Sequence, residues 1–250
     1  MKHPSELHGE EWHKSITESV TYLLSSYQNK FSNEIPVNLY RLAALNDTRI
    51  EIVNKLEGEA RLLPINNGFL ILVNENEWLT RNKRCRTAIA HELAHTIFYN
   101  NVGGVPTRMF KSDNREEQFC FDVGRRLLAP EWLIKKYIFP KLPDVQLIFN
   151  KLHEEFKISR PVIARIMLQD YPIASGIANA WELINGKWIP KKGLSLASPN
   201  LPTELKKKLK EISESWLINE NKVFSPWLII DQIEDPKKSA YIMVISPLSN

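Results

Sequence analysis

At 250 residues, with 43% hydrophobic and 25% charged side chains, the chain is long enough for one large domain or two modest ones and has the balance of a globular protein with a real core. A net charge of +4 is too mild to mark a dedicated nucleic-acid binder, and two distant cysteines, Cys85 and Cys120, exclude a disulfide framework or a thiolate zinc cluster. The start, MKHPSELHGEEWHKS, lacks the apolar stretch of a secretory signal, and no run approaches the roughly 18 apolar residues of a membrane span, so the expected location is the cytoplasm with no membrane partner.

In chain order, Trp12, Ile16, Val20, Leu23, Leu24 and Tyr27 recur at three- and four-residue spacing and predict an amphipathic helix over 10–31. A short helix at 37-VNLYRLAALN-46 precedes three strand-like stretches, 50-IEIV-53, 60-ARLL-63 and 68-GFLILVN-74, with 66-NNG-68 as the turn of a hairpin. Thr80 is the expected N-cap of the next helix, and Gly103 and Gly104 its expected end. Another helix is expected from Arg115 to Leu128. Then 144-DVQLIFNKLHEEF-156 and 160-RPVIARIMLQD-170 read as two helices at a tight corner, followed by a hairpin over 178–190 that turns at Asn185-Gly186. That order resembles a winged-helix unit. The stretch 190-PKKGLSLASPNLP-202 is the expected linker, followed by a lysine-rich helix from Thr203 to Trp216 and strands at 227–231 and 240–246. The run 206-KKKLK-210 reads as a solvated helix face more readily than as a nucleic-acid patch.

The chemistry concentrates in 91-HELAH-95, inside an apolar helix. Residues four apart on a helix lie nearly above one another, so His91 and His95 can share a tetrahedral Zn²⁺. Glu92 lies about 100° around the axis from His91, where a carboxylate reaches a water held by the metal and serves as general base. Two histidines and a water leave one position open, and 115-REEQFCFDVGRRLLAP-130 offers Glu116, Glu117 and Asp122. Glu117, Cys120, Gly124 and Leu127 share a face, which favours Glu117 as the ligand and leaves Glu116 solvated. Cys120 reads as a small buried side chain, and His3, His8, His13 and His153 as surface residues without ligand spacing.

The HELAH helix, preceded by a small β-region and followed by the E-x-x-C-x-x-x-x-x-x-L-L-x-P segment, resembles the ImmA/IrrE family of zinc metallo-endopeptidases over about 36–130, and more weakly to 170. The resemblance implies an α+β fold with a gluzincin-type core, His91, His95 and Glu117 as zinc ligands, Glu92 as base, and a protein substrate such as a helix-turn-helix repressor. Family members often carry a histidine where this chain has Tyr99, and small or Phe-Ala residues where it has Phe121, Val123 and Gly124. Tyr99 is thus either a catalytic hydrogen-bond donor or, preferably, a packed aromatic.

The expected organisation is a metallopeptidase domain over 1–140, a helix-turn-helix or winged-helix-like unit over 141–190 and an accessory α/β region over 191–250. The leading expectation is a zinc-dependent endopeptidase. The alternative is a DNA-binding regulator with a structural or vestigial zinc. Against DNA binding, the recognition-helix candidate offers only Arg160, Arg165 and Gln169 as polar readers.

Overall fold

The computed structural model describes residues 2–101, 103–138, 145–171, 175–184, 187–197, 203–204, 207, 210–211, 228–231 and 239–246. It is an α+β protein in which the chain divides into two units, one of Met1–Pro140 with Lys151–Ser159, the other of Lys141–Asn150 with Arg160–Asn250.

In the first unit α1 (Glu10–Phe31) buries Trp12, Ile16, Leu23, Leu24 and Tyr27, the stripe its spacing predicts. Asn38 caps α2 (Leu39–Ala44) by accepting from the Arg41 N–H. Strands β1 (Thr48–Val53), β2 (Ala60–Ile65) and β3 (Gly68–Asn74) form a sheet in the order β1-β3-β2, with β1 parallel and β2 antiparallel to β3. The β2–β3 hairpin turns at Asn66-Asn67, where Asn67 has φ 60°, and the next residue has to be small. A side chain at Gly68 would put its Cβ 2.1 Å from the Asp47 carbonyl oxygen.

Strand β2 is an edge of this sheet. The Leu62 N–H bonds outside the sheet, so by the antiparallel alternation Ala60 and Pro64 also turn their backbone polar groups outward. Proline at 64 therefore costs no ladder hydrogen bond.

After α3 (Glu75–Thr80) comes α4 (Asn82–His95), which packs against α5 (Asn114–Leu128), β2 and β3. Thr80 does not cap α4. Its hydroxyl donates to the Asn76 carbonyl inside α3, and Arg81 occupies the cap position. Nor do the glycines end the helix. The Thr96 hydroxyl donates to the Leu93 carbonyl, the chain tightens into a 3₁₀ turn at Thr96–Phe98, and Tyr99 is extended and pairs with Arg108. These two short strands are β4 (Tyr99–Asn100) and β5 (Thr107–Arg108), with Gly103 and Gly104 in the loop between them. Asp113 caps α5 by accepting from the N–H groups of Arg115 and Glu116. The short α6 (Glu131–Tyr137) follows Pro130. His153 is buried, not on the surface, because its Nδ1–H finds the Ile158 carbonyl at 3.0 Å.

Two helices stand on either side of the break expected at Lys157–Ser159. Helix α7 (Val145–Glu154) and α8 (Arg160–Arg165), extended by a π-helical turn at Ile166–Asp170, flank Lys157 at φ 55°. Strands β6 (Ser175–Ile184) and β7 (Lys187–Ala197) pair antiparallel, with their turn at 185–186 outside the described residues. They do not stand as an isolated wing. With β8 (Leu228–Asp231) and β9 (Ser239–Ser246) they form one antiparallel sheet of order β7-β6-β9-β8. The expected boundary at 190 consequently falls inside β7, which continues through much of the predicted linker, because β9 shares β6 with it and closes the two segments into one sheet. Most of the lysine-rich 203–216 segment lies outside the described residues. No helix among the described residues is long and apolar enough to cross a membrane.

Candidate metal centre

Helices α4 and α5 bring the sequence-predicted ligands together. His91 Nε2 lies 3.1 Å from His95 Nε2 and 3.1 Å from Glu117 Oε2, and His95 Nε2 lies 3.5 Å from Glu117 Oε1. Both histidines are buried, whereas the Glu117 side chain is 46% exposed, so the cluster opens to solvent on the glutamate side. This close approach depends on Gly124, one of the α5 residues facing α4. A Cβ there would lie 3.0 Å from the His91 backbone nitrogen and 3.2 Å from the Ala90 carbonyl oxygen, both main-chain atoms that cannot move aside without moving the helix.

The two histidines are held differently. Behind His95, Glu116 is fully buried and its Oε1 accepts from His95 Nδ1 at 2.8 Å and from Arg108 Nη2. Glu116 is therefore not the solvated residue expected from helical position. One residue's rotation from Glu117 points it between α5 and the end of α4. As acceptor it fixes the Nδ1–H tautomer of His95 and leaves the Nε2 lone pair aimed at His91 and Glu117. Burial alone would raise the Glu116 carboxyl, but the hydrogen bonds from His95 and Arg108 outweigh it and hold it below the ordinary carboxylate range. Arg108 in turn donates to the Tyr99 hydroxyl at 3.1 Å. Tyr99 thus joins the centre from behind His95 through Arg108 and Glu116, with its ring packed edge-on against Phe69.

His91 has no such support. Its Nδ1 is buried with no hydrogen-bond partner among the described residues, and its ring lies against Phe121 with centroids 4.1 Å apart. Burial, reinforced by His95, pushes its pKa down to about 3, so the imidazole is neutral and keeps a lone pair for coordination.

Glu92 lies on the β2 side of α4, and its Oε2 accepts from the Leu62 N–H at 2.8 Å. Burial raises its carboxyl pKa, while His95 and the Leu62 N–H pull the other way without cancelling the rise.

Two overlapping groups can hold a metal ion: His91, His95 and Glu117, or His95, Glu116 and Cys120, each with donor atoms within 4.8 Å of one another. They use opposite nitrogens of His95. Cys120 Sγ sits 3.3 Å from Nδ1, and burial raises its thiol well above the usual range. The second group is the poorer site. Its carboxylate is already neutralised by Arg108, its thiol holds its proton, and a dication there would face the guanidinium. Sequence reasoning missed Arg108 entirely, since an arginine on a two-residue strand carries no motif. The extreme burial of Glu116 had no local signal either.

No protein-family model and no curated protein matches the chain. Among solved structures, a Mycobacterium tuberculosis transcriptional regulator is similar at 11% identity with a TM-score of 0.43, over 94% of this chain and 86% of that one.

Proposed function

We propose that the chain is a zinc-dependent endopeptidase whose centre is His91, His95 and Glu117 with Glu92 as the base. The observation that carries this reading is the spacing of the three donors. Two ligands about 2.0–2.1 Å from a tetrahedral zinc lie about 3.3–3.4 Å apart; here the two Nε2 atoms are 3.1 Å apart, and the Glu117 carboxylate comes within 3.1 Å of His91 Nε2 through Oε2 and within 3.5 Å of His95 Nε2 through Oε1. A set of two imidazoles and one carboxylate, open on one side, also leaves a position for water or substrate, as a catalytic site requires and a closed structural site does not. Bound there, zinc would polarise a carbonyl and lower the pKa of a coordinated water to about 7.

The protein's own groups supply the rest. With Oε2 fixed by Leu62, Glu92 keeps its other oxygen to take the attacking water's proton and return it to the leaving amine. Its raised proton affinity suits both transfers. With the Leu62 N–H held by Glu92, the outward groups left on edge strand β2, those of Ala60 and the carbonyls of Leu62 and Pro64, are suited to pairing with an extended peptide, which selects a substrate segment that is unfolded or looped out. Phe121, 48% exposed beside His91, offers an apolar surface to a substrate side chain. The family resemblance extends the proposal to a DNA-binding repressor as target.

The test is metal content and hydrolysis in the same samples. Glu92→Gln should keep one zinc per chain and lose about 10²–10⁴-fold in rate. His91→Ala should lose the metal itself. Undiminished hydrolysis in Glu92→Gln would remove the assigned base, and wild-type protein that takes up no zinc would remove the centre.

A further inference from the structure

The first half of α4 carries a second feature, which the metal chemistry does not use. Arg86 is only 8% exposed, one and a half turns before His91, and its Nη2 donates to the Val37 carbonyl at 2.9 Å. Among the described residues its Nε, which is buried, has no hydrogen-bond partner and its guanidinium no salt bridge. Burial lowers its pKa only to about 10, so the guanidinium is charged at neutral pH. A buried cation without a counter-ion is destabilising, and an anion bound beside it would relieve that cost.

Arg86 also lines a cleft of about 290 Å³, together with Glu34, Pro36, Leu39, Tyr40 and Trp78. Tyr40 and Trp78 meet edge-to-face at 6.4 Å and form an aromatic wall, while Pro36 and Leu39 add apolar surface. The acid in this lining, Glu34, is committed elsewhere. Its carboxylate accepts from the Tyr27 hydroxyl and pairs with Arg41 at 2.7 Å.

We propose that this cleft is a binding site for a small monocarboxylate with an aromatic or apolar body, its carboxylate on Arg86 and its body against Tyr40 and Trp78. Three features select that class. A guanidinium in the lining with no salt bridge among the described residues matches a carboxylate. Its single positive charge balances a monoanion and leaves a dianion such as a phosphate monoester half compensated. The volume sits at the lower limit of small-molecule pockets, roughly 300–1,000 Å³, and excludes a nucleotide cofactor. A ligand here would bear on the same helix that carries His91 and His95.

The test compares phenylacetate, phenylacetamide and phenyl phosphate by calorimetric titration of the full chain. Phenylacetate should bind about ten- to a hundredfold more tightly than the neutral amide, the range of a charged hydrogen bond, and more tightly than phenyl phosphate. Arg86→Gln should abolish the preference over the amide, and Trp78→Ala, which leaves the cation in place, should weaken phenylacetate by up to about tenfold. Equal affinity for acid and amide, no binding of any of the three, or phenylacetate binding that survives Arg86→Gln, as attachment at the metal centre would, overturns the proposal. If Arg86→Gln does not fold, Arg86→Lys serves, because it keeps the charge and loses the fork. Phenylacetate affinity unchanged in that variant also overturns it.

Discussion

The two histidines of the centre stand one helical turn apart and are positioned by opposite kinds of force. His95 is oriented by a charged chain, in which Arg108 donates to Tyr99 and to Glu116, and Glu116 accepts from His95 Nδ1. His91 is oriented by packing: Phe121 covers its ring, Gly124 lets α5 close on its backbone, and its Nδ1 has no hydrogen-bond partner among the described residues. Hydrogen bonds specify direction, whereas packing specifies only volume. The centre therefore has one histidine fixed by direction and one with room to adjust as a ligand or substrate arrives.

The largest expected contrast comes from removing the charged support. Glu116→Ala leaves Arg108 without its carboxylate and His95 free to turn, and should weaken zinc binding by about 10–100-fold, as measured by competition with a chelator. Glu117→Ala, which deletes a proposed ligand instead of its support, should weaken it more. If Glu116→Ala binds zinc as well as wild type, the directional half of the comparison fails.

On the packing side, Gly124→Ala forces the two helices apart at His91. It should cost about 1–3 kcal/mol in denaturant unfolding of the metal-free chain. A neutral result would mean that the α4–α5 spacing is set elsewhere.

The two sides should also separate by pH in metal-free protein. The folded-state pKa of His91 is depressed from about 6.5 to about 3, so the unfolded chain takes up the proton first, and stability present above 6.5 is lost as pH falls toward 3. The Glu116 carboxyl is also held low, so its contribution is present above the ordinary carboxylate value and disappears as pH falls through its depressed one. Thermal melts across this range should show His91→Ala flattening the upper part of the decline and Glu116→Gln the lower part. Declines of the same shape in both variants would show the sites to be one coupled unit.

The smallest effect belongs to Tyr99→Phe. It removes a single hydrogen bond to Arg108 at the far end of the chain, worth about 0.5–1.5 kcal/mol, and should lower stability slightly while leaving hydrolysis within a few-fold of wild type. A loss as large as that of Glu92→Gln would return Tyr99 to the reacting atoms.

The sequence by itself determined the elements whose signals are local. The stripe of α1, the β2–β3 turn and the i, i+4 pair of His91 and His95 all follow from spacing and residue type, and each is present. The helical face shared by Glu117, Cys120, Gly124 and Leu127 likewise turns Glu117 toward the two histidines. Asp122 instead accepts from Trp12 and Arg125. Tertiary structure decided whatever depends on what lies opposite. Glu116 was assigned to solvent because a helical wheel gives a direction but not the neighbour in that direction, and here the neighbours are His95 and Arg108. For the same reason β7 ran on through the expected linker, since only its sheet with β6 and β9 reveals that the segment is paired. Burial, closure of helix on helix and strand partnership are properties of two surfaces meeting, and a sequence read one element at a time contains only one of them.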